Sequence, residues 1–347
     1  MGSVSFTLAQ RAVRKSATHI VPAGNLIFAT RVGVGKVVVT KIDVAISQDG
    51  TGIIIDPKEV DPTFLAYQLR TESVQRFVTQ NKRGATIQGI TRPSLQQVDV
   101  VIPPFTEQQR IAYVLSTVQA AIEQQERLIK LTRELKSALM HKLFTEGLQG
   151  EKQKMTEIGL VPESWEIKSF EQFTILQRGK DLTKDNFKNG RVPVAGSNGI
   201  IGYHDVAFVK APGVTVGRSG SVGKVTFYDQ EFWAHNTSLY VKDFHGNDPR
   251  FAAYYLEVLD LGRFKTGASV PTLDRNSFKH LPIAVPSKDE QIEIGNNLSV
   301  VDKKIEITYG RKAKLEELFR TLLHQLMTGQ TRVNEIDLPG FVNEKRG

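Results

Sequence analysis

The chain has 347 residues, 40 % of them hydrophobic, and a net charge of +8. This length accommodates about two or three domains, and the apolar content argues against wholesale disorder. The absence of cysteine excludes disulfide bonds and cysteine-ligated zinc, which is typical of the cytoplasm. No early apolar run has the form of a signal peptide or is long enough to span a bilayer, and the positive charge favours a polyanionic partner.

Residues 1–105 form a first β-rich unit. Residues 36–47 and 52–56 have strand composition. Asp61-Pro62 predicts a helix start, because Asp accepts hydrogen bonds from free N–H groups there and Pro tolerates the first helical position. The predicted helix covers residues 64–78, and residues 98–104 predict a further strand that ends in proline.

The rest of the chain repeats this order. A long helix is predicted over residues 106–147, and the glycines and polar residues of 148–158 predict a linker. A second β-rich unit is predicted at 159–286, with its own Asp248-Pro249 helix start. A second long helix follows at 287–330, and residues 331–347 form a tail.

The repeat is also visible residue by residue. Gly84 and Gly267 begin two similar segments that are 183 positions apart, and the similarity extends upstream of both with small insertions. A period of this length is too long for a solenoid, whose units span about 20–50 residues. The sequence therefore indicates a tandem duplication of a domain and its connector. Matching pairs include Arg92 with Arg275, Glu107 with Glu290, Gln108 with Gln291, His141 with His324, and Lys36 with Lys224.

Both long helices carry an apolar seam at heptad spacing. Each would be about 50 Å long, and a rod with one apolar stripe needs a partner. We therefore predict an α+β fold in which the two helices pair as an antiparallel coiled coil; the alternative is that each packs on its own domain. Polar residues interrupt the seam at Gln125, Thr132, Lys136, Thr308 and Lys312. The predicted pairing residues are Ile111, Leu115, Val118, Ile122, Ile129, Leu139, Leu143, Ile294, Leu298, Val301, Ile305, Leu315, Phe319, Leu322 and Leu326.

On these features the chain resembles the specificity subunits of type I restriction-modification systems. The duplicated unit, the opening "GLVPESWE" at 159–166 and the Glu-Gln pair that leads from a proline into each long helix carry the resemblance. The helix ends "LMHKLFTEG" and "LLHQLMTGQ" also match. Each motif alone is weak, but their order, present twice, is specific, and the resemblance covers nearly the whole chain.

The resemblance implies a division of labour. Each β-rich unit would be a target-recognition domain that reads half of a split site in double-stranded DNA. The paired helices would separate the two domains and dock methyltransferase subunits, two of them in the expected assembly. Those subunits bind S-adenosylmethionine, and separate restriction subunits cleave DNA.

The first unit departs from the family pattern. The Pro-x-x-Trp signature of the second unit (Pro162 to Trp165) and the early strands have no counterpart before Lys36. We therefore expect the first target-recognition domain to be N-terminally incomplete, and the second to be whole.

Motifs for catalysis are missing from the sequence. It has no Asn/Asp-Pro-Pro-aromatic loop of an adenine methyltransferase, and the glycine-rich residues 217–224 lack the Walker pattern. The histidines show no metal-ligand spacing. We therefore expect a non-catalytic subunit that needs no cofactor or metal.

Base reading needs donors and acceptors on loops, flanked by cations that hold phosphates. Residues shared by the two units should serve the scaffold or the phosphates, so Lys36 and Lys224 are predicted phosphate contacts. Readers should lie where the copies differ, which favours Asn198, Tyr203 and His204. The other candidates are Arg31, Lys82, Arg83, Thr86 and Arg92 in the first unit and Arg178, Lys180, Arg218, Ser219, His235, Asn236, Lys265 and Thr272 in the second.

Other interpretations remain open at this point. The candidate loops are equally typical of solvated turns. The whole chain is also compatible with an interaction scaffold, in which the helices recruit partner proteins and the globular units bind a partner other than DNA. A standalone enzyme is disfavoured by the missing motifs.

Overall fold

The computed structural model describes residues 19–84, 88–267, 269, 271–335, 338 and 341. Its contacts divide the chain into two compact units. The first unit comprises Met1–Arg127 and Tyr309–Gly347, and the second comprises Leu128–Thr308. Each unit therefore contains one β-rich part and one segment of each long helix.

In the first unit, short strands precede short helices. In chain order the elements are β1 His19–Val21, β2 Leu26–Ala29, β3 Val37–Val39, β4 Val44–Ile46, β5 Gly50–Ile53, α1 Pro62–Gln68, α2 Glu72–Gln80, α3 Arg92–Leu95 and the long helix α4 Phe105–Glu146. Strands β3, β2 and β5 form an antiparallel sheet in that order, and β1 pairs with β4. Leu26, Phe28 and Val74 are buried in the core beneath this sheet.

The second β-rich part contains more strands. Its elements are β6 Gln153–Thr156, β7 Gly159–Pro162, β8 Glu166–Ser169, α5 Phe170–Phe173, β9 Ile175–Arg178, β10 Val192–Gly196, β11 Gly199–His204, β12 Gly213–Gly217, β13 Val225–Tyr228, β14 Trp233–Ala234, β15 Ser238–Asp243, α6 Pro249–Val258, β16 Lys265–Thr266, β17 Thr272–Leu273, β18 Pro282–Val285 and the long helix α7 Lys288–Met327. Short 3₁₀ turns lie at Lys184–Asn186, Leu261–Phe264, Arg275–Phe278 and Val333–Glu335.

Two sheets form the centre of the second unit, one with strand order β13-β12-β15-β9 and one with order β11-β10-β14. Strand β8 pairs with β18, β16 with β17 and β6 with β7. Trp165, Phe173 and Phe251 are fully buried in a cluster that also contains Leu143 of α4 and Ile294 of α7. The core of the unit thus joins its β-rich part to both long helices.

The duplication is visible in the strand order. By sequence, β2, β3 and β5 correspond to β12, β13 and β15, and each trio pairs in the same antiparallel order. In the second unit β15 also pairs with β9. The described residues of the first unit include no counterpart of β8 or β9.

The glutamine at the start of each long helix has a structural function. Gln108 accepts a hydrogen bond from the Asp61 N–H over 2.9 Å and donates to Pro103 O over 2.9 Å. Gln291 makes the same two bonds, from the Asp248 N–H over 2.8 Å and to Pro286 O over 3.0 Å. Each glutamine therefore ties the Asp-Pro helix start to the proline that leads into the long helix.

The predicted Asp-Pro helix starts are confirmed. The Asp61 side chain accepts from the Phe64 N–H over 2.8 Å, and the Asp248 side chain accepts from the Phe251 N–H over 2.8 Å. These bonds satisfy N–H groups that have no partner inside the helix.

The long helices contact each other within each unit. In the first unit, Ile111 and Leu115 cluster with Leu326, and Lys312 Nζ lies 3.0 Å from Glu126 Oε1. The partner position thus falls from 326 to 312 as α4 proceeds, so the two segments run antiparallel.

The segments in the second unit are also antiparallel. Lys136 Nζ lies 2.8 Å from Asp302 Oδ1, and Leu143 clusters with Ile294 and Leu298. Every position of both predicted seams is buried or half-buried, including Thr132 and Thr308. The knobs-into-holes geometry of a coiled coil stays a prediction.

Three details of the predicted secondary structure are wrong. The linker at 148–158 contains β6, because Gly159 at φ +104° and the Thr156 hydroxyl, which donates to Gly159 O over 2.8 Å, close a hairpin. The predicted strand at 98–104 is irregular; its counterpart β18 is held by β8. The predicted helix at 64–78 divides into α1 and α2, where Thr71 donates to Gln68 O over 2.7 Å.

Candidate nucleic-acid interface

The loops that follow β2 and β12 are held by the same main-chain hydrogen bonds. The Ala29 N–H donates to Lys36 O over 2.9 Å, and the Gly217 N–H donates to Lys224 O over 2.8 Å. We call these two turns the lysine loops. They place the exposed side chains of Lys36 and Lys224 at equivalent positions.

Glycine is required in both lysine loops. Gly35 has φ +94° and Gly223 has φ +83°, in the region that side chains disfavour. A Cβ on Gly223 would lie 2.6 Å from the main-chain nitrogen of Gly262, and one on Gly35 would lie 2.3 Å from Gln75 Oε1. The glycines shared by the two units therefore serve backbone geometry, as the sequence predicts.

The residues that enter the lysine loops share a second set of main-chain bonds. The set fixes the backbone in both units while the side chains differ, with Thr30 and Arg31 in one and Arg218 and Ser219 in the other. The four bonds run from Thr30 N to Asp49 O over 2.8 Å, from Arg218 N to Thr237 O over 2.8 Å, from Ile90 N to Thr30 O over 2.9 Å, and from Leu273 N to Arg218 O over 2.8 Å.

Two arginines of the second unit lie close enough to interact electrostatically. Burial lowers the pKa of the half-buried Arg218 guanidinium, the positive charge of the exposed Arg178 lowers it further, and Asp274 opposes both effects. Two cations held together favour an anion or a guanine edge between them, because guanidinium groups bind both in two-pronged fashion.

The structure also joins a predicted reader to a predicted phosphate contact. Lys224 Nζ donates to Asn198 Oδ1 over 2.7 Å and to Asn198 O over 3.0 Å. Both residues are exposed. The lysine therefore orients the loop between β10 and β11, and Tyr203 on β11 projects with 52 % of its surface exposed.

Other candidates of the second unit are engaged within it. His235 bonds to the Thr237 hydroxyl over 2.8 Å and to Leu182 O over 3.2 Å, and Asn236 donates to Asp181 over 2.6 Å. Lys180 Nζ lies 4.5 Å from the ring centre of Phe208. Three further candidates lie close together in the second unit. Ser219 forms an isolated β-bridge with Thr272, and Leu273, the next residue of β17, pairs with the exposed Lys265.

His204 is a wrong prediction. The side chain is buried, with 6 % exposed, and Nδ1 accepts from the Lys188 N–H over 3.1 Å. Nε2 lies 3.3 Å from Asp205 Oδ1, and the ring packs edge-on against Trp233. The histidine ends β11 as part of the core, so it offers no free edge to a base.

In the first unit, arginines from three separate segments line one open cleft. Arg31, Arg83 and Arg92 surround a volume of about 490 Å³ together with Gln48 and Thr91. Lys82 is half-buried beside Arg83, and Thr86 lies outside the described residues. Three cations around one concavity are suited to a phosphate-bearing ligand.

The sequence pattern of the type I restriction-modification DNA specificity domain matches residues 3–133 and 162–317, which is most of the chain. The chain belongs to this family. As a type I specificity subunit, it recognises DNA sequence.

Named relatives agree with this assignment. The type I restriction enzyme MjaVIII specificity subunit of Methanocaldococcus jannaschii is 24 % identical over 311 residues, covering 81 % of this chain and 72 % of that protein. The MjaX specificity subunit of the same organism, described as putative, is 24 % identical over 296 residues, covering 79 % and 69 %.

The fold is also shared. The crystal structure of the type I restriction-modification S subunit from M. genitalium superposes with a TM-score of 0.65 at 21 % identity, covering 88 % of this chain and 83 % of that one. The S-subunit fold thus includes the mixture of β-rich parts and long helices described above.

The described part of this specificity subunit contains no cluster of three or more His, Cys, Asp or Glu residues that could hold a metal ion. Within the same residues, no helix is long and apolar enough to cross a membrane.

Sequence reasoning missed the acidic and amide neighbours of the candidate cations. Asp274 lies near Arg218, Asp181 holds Asn236, and Gln48 lines the arginine cleft. No motif marks these residues, because their proximity arises only when distant segments meet. Alignment of the two units could have indicated one of these neighbours. Asp49 aligns with Thr237, and Gln48 directly precedes Asp49.

Proposed function

We propose that the chain is a non-catalytic subunit that reads a bipartite DNA site, with one half-site for each unit. The observation that carries this proposal is the pair of lysine loops, in which an identical main-chain frame holds different side chains. A shared frame supports equivalent placement on the two half-sites, and the accessible side chains that differ, Arg31 in one unit and Arg218 and Ser219 in the other, give each unit its own reading.

The same proposal assigns the long helices two tasks. They keep the two readers at a fixed spacing, and they dock two methyltransferase subunits, through which restriction subunits join the complex. The antiparallel contacts inside each unit support this assignment, because they fix the register of α4 against α7.

The base-reading candidates of the second unit are Arg178, Arg218, Asn198 and Tyr203, and Lys224 is a phosphate contact. In the first unit the arginine cleft is the proposed DNA surface. Arg binds guanine in two-pronged fashion and Asn binds adenine, so these side chains read bases in the major groove.

Mapping methylated adenines in the host genome, with and without the gene, tests this function. We expect deletion of the gene to remove methylation from a single split motif. In cells that carry Arg218→Ala, we expect one half of the motif to become relaxed while the other half is kept. An unchanged methylation map after deletion would contradict the proposal.

The second candidate function is an interaction scaffold whose globular units bind a partner other than DNA. A gel shift on the mapped motif discriminates between the two. DNA binding should weaken steeply as salt rises, because phosphate contacts release counterions. A chain that shows no such shift at low salt would favour the scaffold.

A further inference from the structure

The hairpin formed by β10 and β11 exposes two adjacent isoleucines. Ile200 and Ile201 have 49 % and 42 % of their surface accessible. The pairing of the two strands shifts by one residue at this point: Ala195 faces Ile200 and Val194 faces Gly202, so Ile201 has no residue opposite it. A β-bulge of this kind bends the strand and changes the direction of its side chains. The irregularity thus coincides with the exposed apolar pair.

The base of the hairpin is packed against the second unit. His204 is buried and its ring lies edge-on against Trp233. Phe187 covers Gly202 so closely that an added Cβ would overlap its ring. The isoleucines are therefore carried on a fixed support. Such a support suits recognition, because little conformational freedom is lost on binding.

The turn of the hairpin lies beside the proposed DNA contacts. Lys224 Nζ donates to the Asn198 side chain over 2.7 Å, just before the isoleucines. A Cβ on Gly217 would lie 2.8 Å from Ser197 O, so the turn packs against the start of the loop that carries Arg218. The exposed apolar pair therefore lies next to cations. A protein partner fits this setting less well than DNA, because the apolar cores of protein interfaces are depleted of charged residues.

Double-stranded DNA offers one apolar group at the edges of its bases. Thymine carries a C5-methyl group in the major groove, where the other three bases present hydrogen-bonding groups. The groove is wide enough for a β-hairpin, and the phosphates on both sides of it attract lysine and arginine. An apolar side chain between cations thus matches thymine in the major groove.

We propose that Ile200 and Ile201 read thymine in the half-site of the second unit, by packing on its C5-methyl group. This inference rests on the reading of DNA by the second unit proposed above, and assigns specificity to two apolar residues in addition to the polar ones. It concerns one half-site, since the described residues of the first unit include no counterpart of the β10–β11 hairpin.

The test removes the methyl group alone. Deoxyuridine pairs as thymidine does but lacks the C5-methyl group, so duplexes of the mapped motif are made with single thymines replaced by deoxyuridine. Affinity of the full-length chain is measured by fluorescence anisotropy at one fixed salt concentration. The variant is the double change Ile200→Ala with Ile201→Ala. The matched control is Ile158→Ala, the same substitution at a residue 40 % exposed in the turn between β6 and β7.

We expect deoxyuridine at one position of the second half-site to weaken binding of the unaltered chain about three- to fivefold, as for one methyl group that is no longer removed from water. The double variant should bind the thymine duplex more weakly, and should bind the thymine and deoxyuridine duplexes within about twofold of each other, because the two changes remove the same contact. Ile158→Ala should keep the full difference. Since both isoleucines are exposed, the melting temperature of the double variant should stay unchanged.

Other results would overturn the inference. If the unaltered chain binds DNA but tolerates deoxyuridine at every thymine, DNA reading stands and thymine recognition falls. If the double variant loses affinity in that case, the isoleucines act as an apolar wedge between bases instead. A double variant that keeps the difference between thymine and deoxyuridine would assign the methyl contact to other residues. If the unaltered chain binds no duplex, the reading of DNA fails and takes this inference with it.

Discussion

Lys136 on α4 and Asp302 on α7 form an ion pair, with 2.8 Å between Nζ and Oδ1. The Tyr254 hydroxyl of α6 donates to the second oxygen of the same carboxylate over 2.6 Å. Burial first, and then this bond and the charge of Asp302, raise the pKa of Tyr254, so the hydroxyl keeps its proton and stays a donor. One carboxylate therefore connects both long helices to the Asp-Pro helix of the second unit.

Asp302→Ala should destabilise the second unit by about 2 kcal/mol, because it leaves Lys136 and the Tyr254 hydroxyl without their acceptor. The side chain of Lys136 is only 18 % exposed, so water replaces the lost partner poorly. Urea unfolding followed by circular dichroism measures the loss. The double variant Lys136→Asp with Asp302→Lys should recover only part of it, because a lysine cannot accept from Tyr254.

The exposed pair Lys130–Glu134 on α4 is the matched control for this prediction. Its side chains are 78 % and 59 % exposed, and such pairs contribute at most about 1 kcal/mol. Glu134→Ala should therefore change stability by less than about 0.5 kcal/mol. Equal losses for Asp302→Ala and Glu134→Ala would show that the partly buried network has no special weight.

Replacing glycine by alanine should have opposite effects on stability in a lysine loop and in a long helix. Gly223→Ala should destabilise the chain by about 1–3 kcal/mol, because its φ is +83° and the new Cβ meets main chain at 2.6 Å. Gly310→Ala is the control: it lies inside α7 in open space, and alanine there should stabilise by about 0.5–1 kcal/mol. Thermal unfolding of both variants checks the opposite signs.

Lys224→Ala and Arg218→Ala should lower DNA affinity in different ways. Loss of a phosphate contact at Lys224 should weaken all sequences about equally and reduce the salt slope by about one. Loss of a reader at Arg218 should cost about 1–3 kcal/mol on the cognate site and relax one base position. Fluorescence anisotropy with cognate and substituted duplexes over a salt series distinguishes them. Identical effects of the two variants on every duplex would contradict the assigned roles.

Lengthening both long helices should change the gap between half-sites. Seven residues inserted in α4 after Lys130 and seven in α7 after Thr308 keep the facing positions aligned, and add about 10 Å, or about three base pairs, to the rods. We expect the methylated motif to show a longer gap or binding to be lost. Insertion in α4 alone should break the Lys136–Asp302 pair and abolish binding. An unchanged gap in the double insertion would contradict the role of the helices as a spacer.

The duplication, the long helices and the Asp-Pro helix starts could be predicted because each is written in local sequence. Asp61 and Asp248 cap the helices that follow them, and the seam from Ile111 to Leu143 shows its heptads without reference to any other segment. The Glu-Gln motif was visible as well. Its purpose was not, since the bonds from Gln108 to Pro103 and Asp61 depend on how distant segments meet.

The candidate site was less predictable for the same reason. His204 is predicted to lie on a loop, yet it ends β11 and packs against Trp233 with 6 % of its surface exposed. The strand predicted at 98–104 does not form, because a short strand needs a neighbouring strand to pair with. Arg31, Arg83 and Arg92 were found individually, but their common cleft follows from packing between three segments that no local pattern connects.

The backbone frame around Arg31 and Ser219 is made only of amide and carbonyl groups, and neither side chain is buried, so neither is committed to holding the fold. New residues can be introduced there without disturbing the scaffold beneath. If each unit reads one half-site as proposed, a few substitutions at these positions give the protein another address on the genome, one half at a time.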